Sequence, residues 1–276
     1  MFLTIIKSPA ARLKIAGAKS TMGQFVCNVA FSLQCFSWIT FPASSGAQPS
    51  SGPTGIDALR AAARAEAVKA LETAEASYDQ DRKNPENVWR LGRACFDLSE
   101  LPKDKREQAD LAERGINLCK DAVALAPTNA AAHYYLGLNY GQLSRTKGIG
   151  ALRIVGPMQK AFETCITLDE TYDNAGPHRN LGYLFRDAPT WAGIGDRTKA
   201  RVHLERAVKL APLHPENHLA LIEGRIKWGE KDKAKAELTR LRELWPEAKT
   251  KAVTPAQKVA WADWEELLQT LANKLR

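Results

Sequence analysis

Apolar residues after position 55 recur at the three- and four-residue intervals that place side chains on one face of an α-helix. No stretch alternates apolar and polar positions over enough residues to predict a β-strand. Near the C-terminus, Thr254 and Pro255 suit the N-cap and the first turn of a helix. One face of that helix is apolar, with Ala260, Trp264, Leu267, Leu268, Leu271 and Leu275. The pattern therefore predicts an all-α protein.

Three Leu-Gly pairs divide the helical part of the chain at intervals of 45 residues: Leu91-Gly92, Leu136-Gly137 and Leu181-Gly182. A pattern of small, large and small residues that ends in proline recurs at 115–127, 200–212 and 234–246. Small residues let two antiparallel helices approach closely, and proline ends each unit. These features resemble the tetratricopeptide repeat (TPR). We therefore expect a right-handed α-solenoid of about four TPR-like hairpins with N- and C-terminal capping helices.

The first three hairpins are longer than a regular repeat. Two of the extra segments are unusually apolar, "GIGALRIVG" at 148–156 and "APTWAGIG" at 188–195. Solvated loops seldom carry Ile, Leu, Val and Trp this densely, so we expect the two segments to pack over one another as a wall beside the groove. The residues expected in this wall are Ile149, Leu152, Val155, Trp191 and Ile194.

The first helices of the hairpins are expected to line the groove of the solenoid. In the TPR register, their inward residues are Trp89, Arg93, Phe96, Tyr134, Leu138, Arg179, Tyr183, Arg186, Asp187 and Glu223. Aromatic rings interleaved with arginines suit an extended peptide or a small ligand that is anionic or partly apolar. The alternative is that Trp89 and Tyr134 simply pack between hairpins.

The N-terminal region has the order of an export signal. Basic residues precede the apolar run at 25–41, and Ser45-Gly46-Ala47 resembles a cleavage site. We interpret 1–47 as a signal peptide, with Met22 as an alternative start, 48–55 as a flexible linker and 56–276 as the TPR-like domain. The mature protein is then periplasmic. The alternative is an uncleaved anchor in the inner membrane.

Charge argues against a nucleic-acid partner. The whole chain has 39 basic and 31 acidic residues, a net charge of +8. Four of the basic residues and none of the acidic ones lie in 1–47, so 35 against 31 leaves +4 for the remainder. Such a mild, dispersed excess provides no basic stripe for nucleic acid.

The stretch "DNAGPHRNLGYLFRDAP" at 173–189, followed by "GIGDRTKARVHLERAVKLAP" at 193–212, resembles the T-component of tripartite ATP-independent periplasmic (TRAP) transporters. The likeness extends over roughly residues 85–245. It implies an exported helical protein that associates with a periplasmic solute-binding protein and has a tunnel through its repeats. We therefore expect a binding module that acts with an envelope or transport partner. The alternative is a general periplasmic scaffold that binds a protein segment and has no solute role. A homo-oligomer is compatible with either.

No catalytic or metal-binding motif stands out, so neither an enzyme nor a cofactor is expected. His133, His178 and His218 each fall at the same position of a repeat helix, and the one His or Cys four residues from any of them is His214, a loop residue beside Pro215, which favours structural roles. Cys95 and Cys119 occupy positions where the repeat normally packs large residues. A disulfide between them would suit an oxidising compartment, and the alternative is that these cysteines are buried free thiols.

Overall fold

The computed structural model describes residues 55–276 of the chain, apart from the side chain of Ile149. The predicted signal peptide and nearly all of the predicted linker lie outside the described residues. Ten α-helices and no strand occur in the described part, as the all-α prediction requires: α1 (Gly55–Gln80), α2 (Pro85–Ser99), α3 (Lys105–Leu125), α4 (Ala130–Thr146), α5 (Leu152–Leu168), α6 (Tyr172–Asp187), α7 (Arg197–Leu210), α8 (Pro215–Lys227), α9 (Lys231–Lys249) and α10 (Pro255–Lys274). None of these helices is long and apolar enough to cross a membrane.

The helices pair into four consecutive hairpins, α2 with α3, α4 with α5, α6 with α7 and α8 with α9. The first helices of neighbouring hairpins also touch, α2 with α4, α4 with α6 and α6 with α8, and α10 continues this row against α8. Because the first helices lie side by side, they form the inside of a curved stack, which we name the inner row. The predicted solenoid of TPR-like hairpins is confirmed.

The Leu-Gly pairs mark the points where the two helices of a hairpin cross most closely. A side chain added at Gly137 would lie 2.6 Å from the ring of Phe162 on α5. At Gly182 it would overlap the side chain of Leu204 on α7. Glycine at these positions lets the helix backbones approach, and the large residue of the second helix fills the space above it.

The two capping helices touch each other, which the sequence did not predict. Helix α1 contacts both α2 and α10. Arg60 of α1 forms an ion pair with Asp263 of α10 at 2.6 Å, and nearby Ala63 is buried. At the start of α10, Thr254 and Gln257 form the capping box, so the predicted N-cap is confirmed. The first and last helices therefore close the row of hairpins on itself.

The extra residues of the first two hairpins lengthen helices and do not form long loops. Helix α3 begins at Lys105, after a short connection from α2. The segment "GIGALRIVG" forms a 3-10 turn at Gly148–Ala151 and the first turns of α5, where Val155 is buried in the main core.

The extra residues of the third hairpin form a compact turn. Ile194 packs against the main core. Leu152, at the start of α5 in the second hairpin, is half-buried. Trp191, however, is 75% exposed. The Trp191 side chain therefore does not pack against a second loop, and the expected wall is not formed there.

The cysteines do not form the disulfide that the sequence offered as one possibility. Cys95, Cys119 and Cys165 are all buried free thiols in the described part of the chain. The sulfur of Cys119 points toward Gly92 and lies 3.9 Å from the Asn139 side-chain amide, which donates to it.

Candidate functional site

Two neighbouring cavities on the inner side of the first hairpins share Arg93 in their linings. The larger, which we name the α1–α2 cleft, has a volume of about 680 Å³ and is bordered at one end by Ala256 of α10. The smaller, which we name the Tyr135 pocket, has a volume of about 260 Å³ and lies among α2, α4 and the start of α6. The Tyr135 pocket is lined by Arg93, Tyr135, Asp169, Thr171, Tyr172, Asp173 and Asn174.

A left-handed turn forms one wall of the Tyr135 pocket. Asp173, Asn174 and Ala175 have φ values of 50°, 57° and 61°, so they interrupt the first turn of α6. Left-handed backbone costs about 1–2 kcal/mol for each non-glycine residue, and Asp and Asn tolerate it best. Three such residues in succession persist only where surrounding contacts fix them.

Arg179 and Asn217 provide those contacts. Arg179 is 1% exposed, donates a hydrogen bond to Asn217 Oδ1 at 2.8 Å and lies 3.2 Å from the carboxylate of Glu216. It also lies 3.9 Å from the carboxylate of Asp173. Asn217 Nδ2 donates to the backbone oxygen of Asn174 at 3.0 Å. The turn is therefore tied to the N-terminal end of α8 by buried polar groups.

Burial changes the acidity of this network. It raises the pKa of Glu216 to about 7, although the guanidinium of Arg179 and a hydrogen bond from Tyr183 act in the opposite direction. Burial also raises the pKa of Asp173, again opposed by Arg179 and by the Tyr134 hydroxyl, which donates to Asp173 at 2.6 Å. The cost of burying these carboxylates is thus reduced but not removed by their partners.

Arg93 and Asp97 form an ion pair between the two cavities. The Arg93 Nε lies 3.3 Å from Asp97 Oδ2, and its guanidinium lies over the ring of Tyr135, 5.5 Å from the centroid. Burial raises the pKa of Asp97 to about 6, against the lowering effect of Arg93. The guanidinium of Arg93 is therefore already matched to a carboxylate on its own helix.

A third group of charges lies further along the inner row, between α6 and α8. Arg186 binds both carboxylate oxygens of Asp187, at 2.8 and 2.6 Å, and donates to Glu223 at 2.9 Å. Its guanidinium lies 4.9 Å from the ring centroid of Tyr183. Arg186 is buried, while both carboxylates are partly exposed. Lys227, which is 55% exposed, lies 3.3 Å from Asp187, so this region presents both basic and acidic groups to solvent.

The structure buries most of the side chains predicted for the groove. Trp89, Phe96, Tyr134, Leu138, Arg179, Tyr183 and Arg186 are each 9% exposed or less. Trp89 stacks on Tyr135 with ring centroids 5.8 Å apart, and Tyr134 contacts Phe162. These side chains do not line an open surface, because neighbouring hairpins cover them. Arg93, Asp187 and Glu223 remain partly exposed, and their role in binding stays a prediction.

Several residues of the site were not predicted: Tyr135, Asp97, Asp169, Tyr172, Asp173, Asn174, Glu216 and Asn217. One sequence signal could have predicted the left-handed turn, namely Asp-Asn followed by Ala-Gly-Pro at 173–177. Asp and Asn tolerate left-handed backbone, and proline is favoured in the first turn of a helix. Arg179, a partner of that turn from α6 itself, was predicted, whereas Tyr134 of α4 and Asn217 of α8 contact it from distant parts of the chain, and no local pattern indicates that contact.

The histidines take part in packing and hydrogen bonds. His178 Nδ1 lies 2.9 Å from His203 Nδ1, and His203 stacks on Phe185. Burial lowers the pKa of His203 to about 4 and also lowers that of His178. Across residues 55–276, no three His, Cys, Asp or Glu side chains gather in a way that could hold a metal ion.

Comparison with protein families finds one match. Residues 54–169, from α1 to the end of α5, match the family described as Regulator of microtubule dynamics protein 1-3. This stretch is less than half of the chain. No curated protein matches the sequence significantly.

Comparison with solved structures identifies TPR proteins. TTC0263, described as a thermophilic TPR protein in Thermus thermophilus, is 21% identical, with 79% of this chain and 96% of that chain covered and a TM-score of 0.54. MamA is 19% identical over 71% and 98% of the two chains, with a TM-score of 0.46. YrrB, described as a TPR protein with an unusual peptide-binding site, is 16% identical over 75% and 92%, with a TM-score of 0.45. None of these comparisons links the chain to TRAP transporters. The chain has the tetratricopeptide-repeat fold.

Proposed function

We propose that this protein is a non-enzymatic adaptor that binds a segment of another protein along the α1–α2 cleft and the Tyr135 pocket. The observation that carries the proposal is the cleft itself, about 680 Å³ between two helices and continued by a second cavity at Arg93. Stacked helical repeats use such extended inner surfaces for binding. Catalysis plays no part in the proposal.

The proposal includes export, with an envelope protein as the partner. The basic, apolar and small-residue order of residues 1–47 supports it. The resemblance of 173–212 to the TRAP T-component motif favours a partner from a transport system, such as a periplasmic solute-binding protein. A general scaffold in the same compartment, with no solute role, would use the same cleft.

A cytoskeletal partner is the second candidate. The family matched by residues 54–169 is described by its role in microtubule dynamics, and the matched residues include nearly all of the α1–α2 cleft. This candidate is incompatible with an exported protein, so the compartment in which a partner is captured distinguishes the two.

Site-specific photocrosslinking in the native host tests the proposed function. A photoreactive residue replaces Lys69, at the exposed rim of the cleft, or Lys235, on the exposed surface of α9, in the full chain. We expect position 69 to give discrete crosslinked species that mass spectrometry assigns to an envelope protein, and position 235 to give none. Identical products from both positions, or no products from position 69, would contradict the proposal. Tubulin in the products would favour the second candidate.

A further inference from the structure

The α1–α2 cleft has an apolar floor and a balanced rim. Alanines at 63, 67, 70 and 74 lie on successive turns of α1, opposite Ala94 of α2, and their short side chains leave the space between the helices open. On the rim, three acidic residues (Glu66, Glu86, Asp97) accompany three basic ones (Lys69, Arg90, Arg93). The cleft therefore suits apolar side chains and has no net preference for charge.

The Tyr135 pocket differs because negative charge is in excess there. Two acidic side chains, Asp169 and Asp173, line the pocket, and the one basic side chain in its lining, Arg93, already forms an ion pair with Asp97. Asp169 accepts hydrogen bonds from the backbone nitrogen and hydroxyl of Thr171, at 2.9 and 2.7 Å. No basic side chain in the described part of the chain forms an ion pair with Asp169. The pocket is thus short of positive charge.

The walls of the pocket are suited to a cation. The rings of Tyr135 and Tyr172 both line it, and aromatic rings attract ammonium and guanidinium groups through their faces. The guanidinium of Arg93 already lies over one of these rings. A volume of about 260 Å³ is below the roughly 300–1,000 Å³ of sites for drug-sized molecules, so the pocket fits a single side chain.

The pocket is also held in place before anything binds. The left-handed turn fixes the position of Asp173, and buried contacts from Arg179, Tyr134 and Asn217 fix the turn. A partner therefore does not have to order these groups, which lowers the entropic cost of binding.

We propose that the Tyr135 pocket binds the ammonium or guanidinium group of a Lys or Arg in the partner segment, while the apolar residues next to it lie in the α1–α2 cleft. This proposal rests on the proposed function, since it names the chemistry of the bound segment. The excess negative charge and the aromatic walls favour a basic side chain in the Tyr135 pocket, and the alanines of the α1–α2 cleft favour apolar side chains next to it. The α1 wall from 63 to 77 is about 21 Å long, so about six extended residues fill the cleft.

Fluorescence anisotropy with synthetic peptides tests this inference on the full chain. The probes are labelled peptides of about ten residues, rich in Leu and Ala, with Lys at one end. Matched peptides carry Gln or Glu in place of Lys. We expect the Lys peptide to bind more tightly than the Gln peptide, and the Glu peptide to bind most weakly.

Two matched variants assign the effect to the pocket. Asp169→Asn removes the charge and keeps an oxygen that can accept from Thr171. Asp121→Asn removes an equally exposed charge on α3, outside both cavities. We expect Asp169→Asn to weaken Lys-peptide binding by about three- to tenfold and to leave Gln-peptide binding unchanged. Asp121→Asn should change neither.

Each outcome decides between the proposals. Peptides that bind equally with Lys, Gln or Glu would overturn the basic-residue pocket and leave the adaptor function standing. Tightest binding of the Glu peptide would overturn it as well and would assign the pocket to anionic groups through Arg93. Absence of binding by all three peptides, together with no crosslinks at position 69, would overturn both proposals.

Discussion

Replacing Gly115 of α3 by alanine should destabilise the fold through one buried amide. The added carbon would overlap the side chain of Asn139, lying 2.5 Å from Cγ and 2.8 Å from Nδ2. This amide cannot easily move, because Nδ2 donates to the backbone oxygens of Gly92 at 3.1 Å and Tyr135 at 2.8 Å. Asn139 is fully buried, so no water can replace those bonds.

The magnitude follows from three opposing effects. Overpacking a core costs about 1–3 kcal/mol, and the two hydrogen bonds of Asn139 are worth about 1 kcal/mol each. Alanine favours a helix over glycine by about 1 kcal/mol. The free energy of unfolding should therefore fall by about 2–4 kcal/mol. Gly156→Ala is the control, because that helical glycine of α5 is exposed and has nothing within 4 Å of an added carbon.

Urea denaturation of the full chain, followed by far-ultraviolet circular dichroism, measures these changes. We expect Gly156→Ala to change stability by less than about 1 kcal/mol, because the helix preference of alanine is opposed by contact of its Cβ with the ring of Pro157. In Asn139→Ala, the amide is gone, so adding Gly115→Ala should cost at least about 1 kcal/mol less than it does in the wild type. Strictly additive costs, or a Gly115→Ala protein as stable as the wild type, would refute the proposed clash.

If the protein is exported and cleaved as proposed, the protein purified from its native host lacks residues 1–47. An intact mass that includes these residues would contradict the prediction. Arg179→Met leaves buried carboxylates without their partner and should lower the free energy of unfolding by about 3–5 kcal/mol. Arg206→Met breaks an exposed ion pair and should lower it by less than about 1 kcal/mol. Equal losses for the two variants in urea denaturation would refute this. Because burial lowers the pKa of His203 to about 4 from 6.5, its stabilising contribution is complete above pH 6.5 and is lost as the pH falls toward 4. In the His203→Phe variant, the free energy of unfolding should therefore change less between pH 6.5 and 4 than it does in the wild type. An unchanged dependence on pH would contradict the assignment to His203. Trp191→Ala should change stability by less than about 0.5 kcal/mol, since the ring is exposed. A larger loss in urea denaturation would contradict this.

The sequence by itself determined the helical repeats. The 3.6-residue period and the small residues at helix crossings are local properties that do not depend on distant contacts. Leu-Gly pairs such as Leu181-Gly182 therefore located the hairpins, and Thr254 located the start of the last helix. Pairs of helices in such repeats pack in one way, so the architecture followed from the elements.

The candidate site was only partly predictable, because a repeat register gives the direction of a side chain and not its burial. Arg93 was predicted at the inner surface and lines both cavities. Tyr183, at the equivalent position two repeats later, was predicted for the same surface, yet it is fully buried and its hydroxyl donates to Glu216 of α8. The register is the same for both residues, while the neighbouring helices differ.

Tertiary structure alone decided the remaining features. Contact between α1 and α10 depends on how curvature accumulates over four hairpins, and no single repeat encodes it. Similarly, the Tyr135 pocket draws its residues from three separate helices, whose spacing along the chain says nothing about their distances. Cys95 and Cys119 are buried free thiols, and Cys119 accepts a hydrogen bond from Asn139 of the next hairpin, a partner that the local sequence does not indicate.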